Sequence, residues 1–192
     1  MKKILTIFAM SFLSLNSVYA LQLVSDANGS VTLSEPQLRT GDMAPQVTLT
    51  TYNFKNKQIG GATGKVQVIS TIESFNTSVC DLQTMKLNEA ATKQLKNAEI
   101  SIVTANIPFV VETFKTGHKI NNINLLSTFN NDVFGKKYGV EVIGGELTGI
   151  LARSVFVIDK NGKIIYKEIT SNIDKMPNLQ EAINVAEKAL KA

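Results

Sequence analysis

Two hydrophobic periods alternate along this chain. Val66-Gln-Val-Ile-Ser-Thr-Ile72 is short and rich in β-branched residues, the pattern of a buried strand. Beyond it, Val79, Leu82, Leu87, Ala90, Ala91 and Leu95 recur at helical spacing, which predicts a helix running to about Asn97 with those residues on its apolar face. Glu99-Ile-Ser-Ile-Val-Thr104 predicts a second buried strand, and strand–helix–strand places the two strands parallel in one sheet. Pro108 to Phe114 predicts a short helix, with proline tolerated at its start. Leu125 and Leu126 mark a short strand, and Phe134 to Tyr138 a short helix stopped by Gly139. The turn Asp159-Lys-Asn-Gly162 between Arg153–Ile158 and Lys163–Lys167 is the clearest hairpin signal in the chain. Asn178-Leu-Gln-Glu181 predicts a capping box that opens a last helix through Leu190, with Leu179, Ala182, Ile183, Ala186 and Leu190 inward.

Upstream the signals are weaker. Asn28-Gly29 beside Val31-Thr-Leu33 predicts an arm or hairpin, and Val47-Thr-Leu-Thr50 a short strand. Gly60-Gly-Ala-Thr-Gly-Lys65 looks like a phosphate loop but has Ile59 where the first glycine belongs and Val66 in place of Ser or Thr, so a turn is expected there. Together these elements predict an α/β fold, a central sheet flanked by helices of the thioredoxin-like kind, with no internal repeat.

The first twenty residues break the pattern. Lys2 and Lys3, an apolar run from Ile4 to Leu15 and Val18-Tyr-Ala20 form the three parts of a secretory signal. Cleavage after Ala20 is expected, with residues 1–20 a signal peptide, residues 21–192 a single domain, and a bacterial periplasmic destination. About 170 residues remain, enough for one domain with a substantial core. Lys2 and Lys3 account for two of the formal +4 charges, so the rest is only weakly basic. Acids and lysines are interspersed, which gives no case for nucleic acid or a membrane surface as partner.

Cysteine usage changes the picture most. Cys80 is the only cysteine of the chain, so an intramolecular disulfide is excluded, and Gln83 rules out a Cys-x-x-Cys site. One cysteine and the single His118 are too few for a structural zinc site, and no cofactor is expected. A lone cysteine in an exported protein points to intermolecular pairing or a reactive thiol. Cys80 falls where the strand gives way to the helix, with Thr77 and Ser78 as capping residue types and Asp81 in the first turn. There the helix dipole and free N–H groups favour a thiolate. Cysteine is also a common small core residue, and the local pattern alone leaves both readings open.

Thr77-Ser-Val-Cys-Asp-Leu-Gln-Thr84 resembles the active-site segment of the peroxiredoxins, closest to the bacterial thiol peroxidases, whose form is Thr-Pro-Val-Cys-Asp-x-Gln-Thr. Further blocks match in order: Gly41-Asp-Met-Ala-Pro45, Ile107-Pro-Phe109, Phe134-Gly-Lys-Lys-Tyr-Gly139 and Leu151-Ala-Arg-Ser-Val-Phe-Val-Ile-Asp159. The resemblance spans roughly residues 38–191 and implies a mixed central sheet of the thioredoxin-like peroxiredoxin type. It implies that Cys80 is the peroxidatic nucleophile, which becomes a sulfenic acid. By the same resemblance Thr77 hydrogen-bonds the sulfur or the peroxide, and Arg153 stabilises the thiolate and holds the peroxide oxygens, a task suited to a permanently charged rigid fork. A homodimer is implied on the same grounds.

Two positions depart from the family. Ser78 replaces the proline that shields the thiolate, and Lys115 stands where thiol peroxidases carry the resolving cysteine. A single-cysteine cycle then needs an external thiol or a thioredoxin-like reductant, acting through a mixed disulfide. The expected function is an exported thiol-dependent peroxidase acting on hydrogen peroxide or alkyl hydroperoxides. A non-catalytic sensor or binding protein on the same fold, and a thiol–disulfide exchange partner, are the alternatives. His118, in the polar Thr116-Gly-His-Lys119 stretch, is expected to be solvated and outside the chemistry.

Overall fold

The computed structural model describes residues 23–26, 29–172 and 174–192; the expected signal peptide lies outside them. A seven-stranded mixed sheet forms the centre, in the order β4-β3-β7-β6-β5-β8-β9. Its strands are β3 (Val47–Thr51), β4 (Asn56–Ile59), β5 (Gln67–Thr71), β6 (Glu99–Thr104), β7 (Asn124–Ser127), β8 (Ser154–Ile158) and β9 (Ile164–Ile169). A separate hairpin of β1 (Leu23–Asp26) and β2 (Gly29–Thr32) precedes it, as the Asn28-Gly29 signal predicts. The strands β5, β6 and β7 are parallel, and β8 runs antiparallel to β5. This is the expected thioredoxin-like arrangement.

Among the described residues four helices cover the sheet: α1 (Ser78–Lys93), α2 (Pro108–Gly117), α3 (Val133–Tyr138) and α4 (Leu179–Lys191). The central strands are buried on both faces, so alternate residues feed two cores. Val68, Ile100, Ile102, Val155 and Val157 pack with Leu87 of α1, Val111 of α2 and Ile183 of α4. Ile69, Val103, Phe156 and Ile158 pack on the other side with Phe134 and Tyr138 of α3. Tyr138 is fully buried, stacks on Phe134 at 4.5 Å and donates its hydroxyl to the Pro45 carbonyl at 2.9 Å.

Several boundaries and faces differ from expectation. α1 stops at Lys93 rather than near Asn97, because the N–H groups of Gln94 and Leu95 both turn back to the Ala90 carbonyl and tuck Leu95 into the core. Its buried face is Cys80, Gln83, Thr84, Leu87 and Ala90, whereas the expected inward residue Leu82 is 51% exposed. Two polar side chains have displaced an apolar one from the interior, and the active site accounts for both. β4 went unpredicted: in Asn56-Lys-Gln-Ile59 only Ile59 is buried, and a polar sheet-edge strand carries no alternation to read. The capping box of α4 is half formed. Asn178 accepts from Glu181 N at 3.1 Å, but its own N–H goes to Glu168 Oε2 of β9 at 2.9 Å.

Gly139 ends α3 in the left-handed conformation (φ 65°), and a Cβ there would lie 2.4 Å from the Pro36 carbonyl oxygen. Gly139→Ala is therefore expected to cost about 2 kcal/mol, from left-handed strain plus displacement of the Pro36 segment. Thermal denaturation should read this as a fall of roughly 4–8 °C in Tm.

Candidate active site

The site is assembled by the register of β5 on β8. Thr71 pairs with Ser154, so the end of β5 lies beside the start of β8. Glu73 leaves the first strand two residues later, and Arg153 enters the second one residue earlier. The chain then loops through Phe75, whose N–H is held by Asn106 Oδ1 at 2.9 Å, and turns into α1. Thr77 caps that helix from extended backbone, accepting the Cys80 N–H on Oγ1 at 3.4 Å. Thr84 closes the first turns from below, donating its hydroxyl to the Cys80 carbonyl at 2.9 Å. Cys80 is thus fixed in the first turn of α1 at the carboxyl end of a parallel strand, where sites of open α/β sheets form.

Cys80 is a free thiol with no exposed surface. Arg153 is 2% exposed and directs its guanidinium to Cys80, Gln83 and Glu73. Nη1 donates to Cys80 Sγ at 3.4 Å and to Gln83 Oε1 at 3.0 Å, and Nη2 meets Glu73 Oε2 at 2.5 Å. The Cys80 thiol donates to the same Glu73 Oε2 at 3.2 Å. Sulfur, guanidinium and carboxylate therefore close a buried triangle. Burial pushes the Glu73 carboxyl above its ordinary range, against the opposing pull of Arg153, its own backbone and Cys80.

A layer of hydrogen bonds holds the triangle in place. Gln83 donates to Ser70 Oγ at 2.7 Å and to the Thr71 carbonyl at 3.2 Å, and Ser70 donates to the Ser154 carbonyl at 2.7 Å. Thr71 Oγ1 reaches the Ala152 carbonyl at 2.5 Å. Both residues flanking Arg153 are thus tied to β5. These bonds explain why α1 buries Gln83 and Thr84 in place of Leu82. A guanidinium whose partners are already oriented needs little rearrangement to meet developing negative charge.

Phe75 and Asn76 form one wall of an open depression of about 520 Å³, with Phe109, Val110, Thr113, Phe114 and His118 along the α2 side. His118 is exposed, as expected, but it is not isolated. It stacks on Phe114 at 4.3 Å and its Nδ1 lies 3.6 Å from Asp81 Oδ1, on the outer side of α1. Lys115, where the resemblance expects the resolving cysteine, directs its ammonium to the Ile120 carbonyl and to Asn121 Oδ1.

Of the residues singled out in the sequence, Cys80 and Arg153 meet directly. Thr77 reaches the site through the Cys80 backbone, and Ser78 is exposed in the first helical turn. Arg153 read without the family resemblance would pass for a surface residue at a strand start; the structure buries it. Glu73 and Gln83 were missed as site residues. The available signal was a charged residue directly after the strand-like run Val66–Ile72, and an amide three positions beyond Cys80 on the same helix face.

The Redoxin family model matches residues 39–183. A thiol peroxidase of Aquifex aeolicus is 39% identical over 155 residues, covering 80% of this chain and 90% of that protein. One from Bacillus subtilis is 37% identical over 163 residues, covering 85% and 95%. Among solved structures, a peroxiredoxin-like protein from Aquifex aeolicus superposes with a TM-score of 0.83 at 36% identity, covering 88% of this chain and 97% of its own. The thiol peroxidase from Chromobacterium violaceum, at 17% identity and a TM-score of 0.78, shares the fold.

Proposed function

This chain belongs to the peroxiredoxin family, in its Redoxin and thiol peroxidase branch, and is a one-cysteine thiol peroxidase; from that premise we propose that it is exported and that its oxidised Cys80 is returned to the thiol by an external reductant. The observation that carries the site assignment is the approach of Arg153 Nη1 to Cys80 Sγ at 3.4 Å, with both groups buried. Cys80 attacks one oxygen of hydrogen peroxide or an alkyl hydroperoxide, the O–O bond breaks, and the sulfur becomes a sulfenic acid. Arg153 holds the oxygens and Thr77 keeps the first turn of α1 in position around them.

Cys80 is the sole thiol of the chain, so its sulfenic acid has no internal partner. A small thiol or a thioredoxin-like protein attacks it, forming a mixed disulfide that a second thiol releases. The basic, apolar and small-residue segments of residues 1–20 support delivery to the periplasm. Phe54 and Phe109, 52% and 61% exposed and packed edge-to-face at 5.2 Å, give a second copy an apolar patch to cover. A homodimer is part of this reading, to be checked by sedimentation.

The test is stopped-flow mixing of the reduced protein with one equivalent of hydrogen peroxide, followed by mass spectrometry. The expected result is fast consumption with one oxygen gained on the Cys80 peptide, and repeated turnover only when a thiol is added. Consumption no faster than that of free cysteine would overturn the site assignment. Repeated turnover without added thiol would overturn the recycling. Periplasmic fractions should hold a form beginning at Leu21, and a full-length cytoplasmic form would refute export.

A further inference from the structure

The carboxyl of Glu73 stands where a proton acceptor for the reacting thiol belongs. Its Oε2 takes the Cys80 hydrogen bond at 3.2 Å and lies 2.5 Å from Arg153 Nη2, so it touches both the nucleophile and the cation. Its Oε1 is buried without a hydrogen-bond partner among the described residues. The charged and titratable groups facing it are Cys80 from α1, Arg153 at the head of β8 and Asp174 from the segment before α4. Asp81 and His118 pair with each other on the outer side of α1. Thr104 of β6 holds the Glu73 backbone carbonyl at 3.4 Å.

Charge balance gives this arrangement its meaning. Arg153 brings one positive charge into a buried triangle with two acidic groups. One anion beside it is balanced; a second would be an uncompensated buried charge, which is costly. One proton held between Cys80 and Glu73 keeps the triangle in balance.

We propose that Glu73 is the proton relay of the peroxidase reaction, taking the thiol proton as Cys80 attacks and delivering it to the departing oxygen. The inference rests on the peroxidase reading above. In the step, the S–H bond breaks and its proton passes to the carboxylate. An electron pair of sulfur forms the S–O bond to the hydroxyl-bearing peroxide oxygen, and the O–O pair leaves on the other oxygen. That oxygen takes the proton from the Glu73 carboxyl and departs as alcohol or water. Sulfur is oxidised by two electrons, the peroxide is reduced by two, and the product is Cys80 sulfenic acid with no proton unaccounted for. Protonation of Glu73 also dissolves its ion pair with Arg153, freeing the guanidinium for the peroxide at the moment of attack. Oε2, which takes the thiol proton, is the oxygen that hands it on, and Oε1 makes no competing hydrogen bond among the described residues.

A shared proton leaves a kinetic signature. The reactive one-proton state lies between a doubly protonated form at low pH and a doubly ionised form at high pH, and the two steps belong to the pair. Stopped-flow rate constants for hydrogen peroxide, measured on the full chain across the pH range where it stays folded, should trace a bell. Each limb should fall about tenfold per pH unit. Glu73→Gln removes the relay, so its profile should lose the alkaline limb and rise to a plateau. Its rate at the wild-type optimum should be at least about tenfold lower. His118→Gln should keep both limbs.

A wild-type profile that rises to a plateau, a Glu73→Gln protein that keeps the bell or reacts as fast as wild type, or loss of the alkaline limb in His118→Gln would each overturn the relay. If Glu73→Gln fails to fold, the wild-type and His118→Gln profiles decide alone. Sulfenic acid on Cys80 without the bell sinks the relay and spares the peroxidase reading; no sulfenic acid at any pH sinks both.

Discussion

Cys80→Ser is expected to lower peroxide consumption by a factor of roughly 10⁴ or more, to the uncatalysed background, while leaving the fold in place. The two halves of this expectation have separate causes. A serine hydroxyl is a weak nucleophile toward peroxide and has no accessible sulfenic state, so the chemistry ends. The fold survives because a hydroxyl still donates to Glu73 Oε2 and still accepts from Arg153 Nη1, the two bonds the thiol makes. The stability change should stay within about 1 kcal/mol, the worth of the slightly altered hydrogen bonds. A peroxide assay in excess thiol, run beside thermal denaturation, checks both. Cys80→Ser with undiminished turnover would place the reaction elsewhere in the molecule.

Much of the scaffold around that thiol could be read from local pattern. β5, β6 and the β8–β9 hairpin are short β-branched runs with clear punctuation, and Asp159 Oδ1 closes the predicted turn by accepting from Asn161 N and Lys163 N at 2.9 and 2.8 Å. The position of Cys80 at a helix start followed from Thr77 and from the change of period, and the structure places that threonine as the cap. β4 was illegible because its edge position asks so little of its residues: Lys57 and Gln58 need only reach solvent and pair with Leu49 and Thr48 through the backbone.

The heart of the site was illegible for a different reason. Glu73, Gln83 and Arg153 acquire their roles from one another, and no window along the chain contains all three. Their meeting depends on the Thr71–Ser154 pairing across β5 and β8, a register that hydrophobic pattern does not reveal between two strands buried on both faces. Once Arg153 is inside, the helix opposite must supply partners. Gln83 and Thr84 then belong inward and Leu82 outward, against the apolar count. The departure of α1 from its predicted face is therefore a consequence of function, as expected where a local rule is broken for the sake of a site.

Replacing Arg153 separates its structural from its chemical role. Arg153→Met should lower the peroxide rate constant about 10²–10³-fold, the usual cost of removing a preorganised charge stabiliser. It should also destabilise the protein by about 3–5 kcal/mol, because Glu73 would remain buried without its counter-ion. Arg153→Lys is no conservative rescue. One ammonium cannot reproduce a fork that serves Cys80, Gln83 and Glu73 from two nitrogens. The informative construction is the double replacement Arg153→Met with Glu73→Gln. Removing both charges abolishes the uncompensated carboxylate, so stability should recover by more than half of the single-variant loss, a coupling visible in a double-mutant cycle of denaturant midpoints. Activity should not recover with it, since the cation that meets the peroxide is still missing. Recovery of the rate together with stability would show that Arg153 only neutralises Glu73. A stable double variant that reacts about 10²–10³-fold more slowly than Glu73→Gln alone would assign it to the peroxide itself.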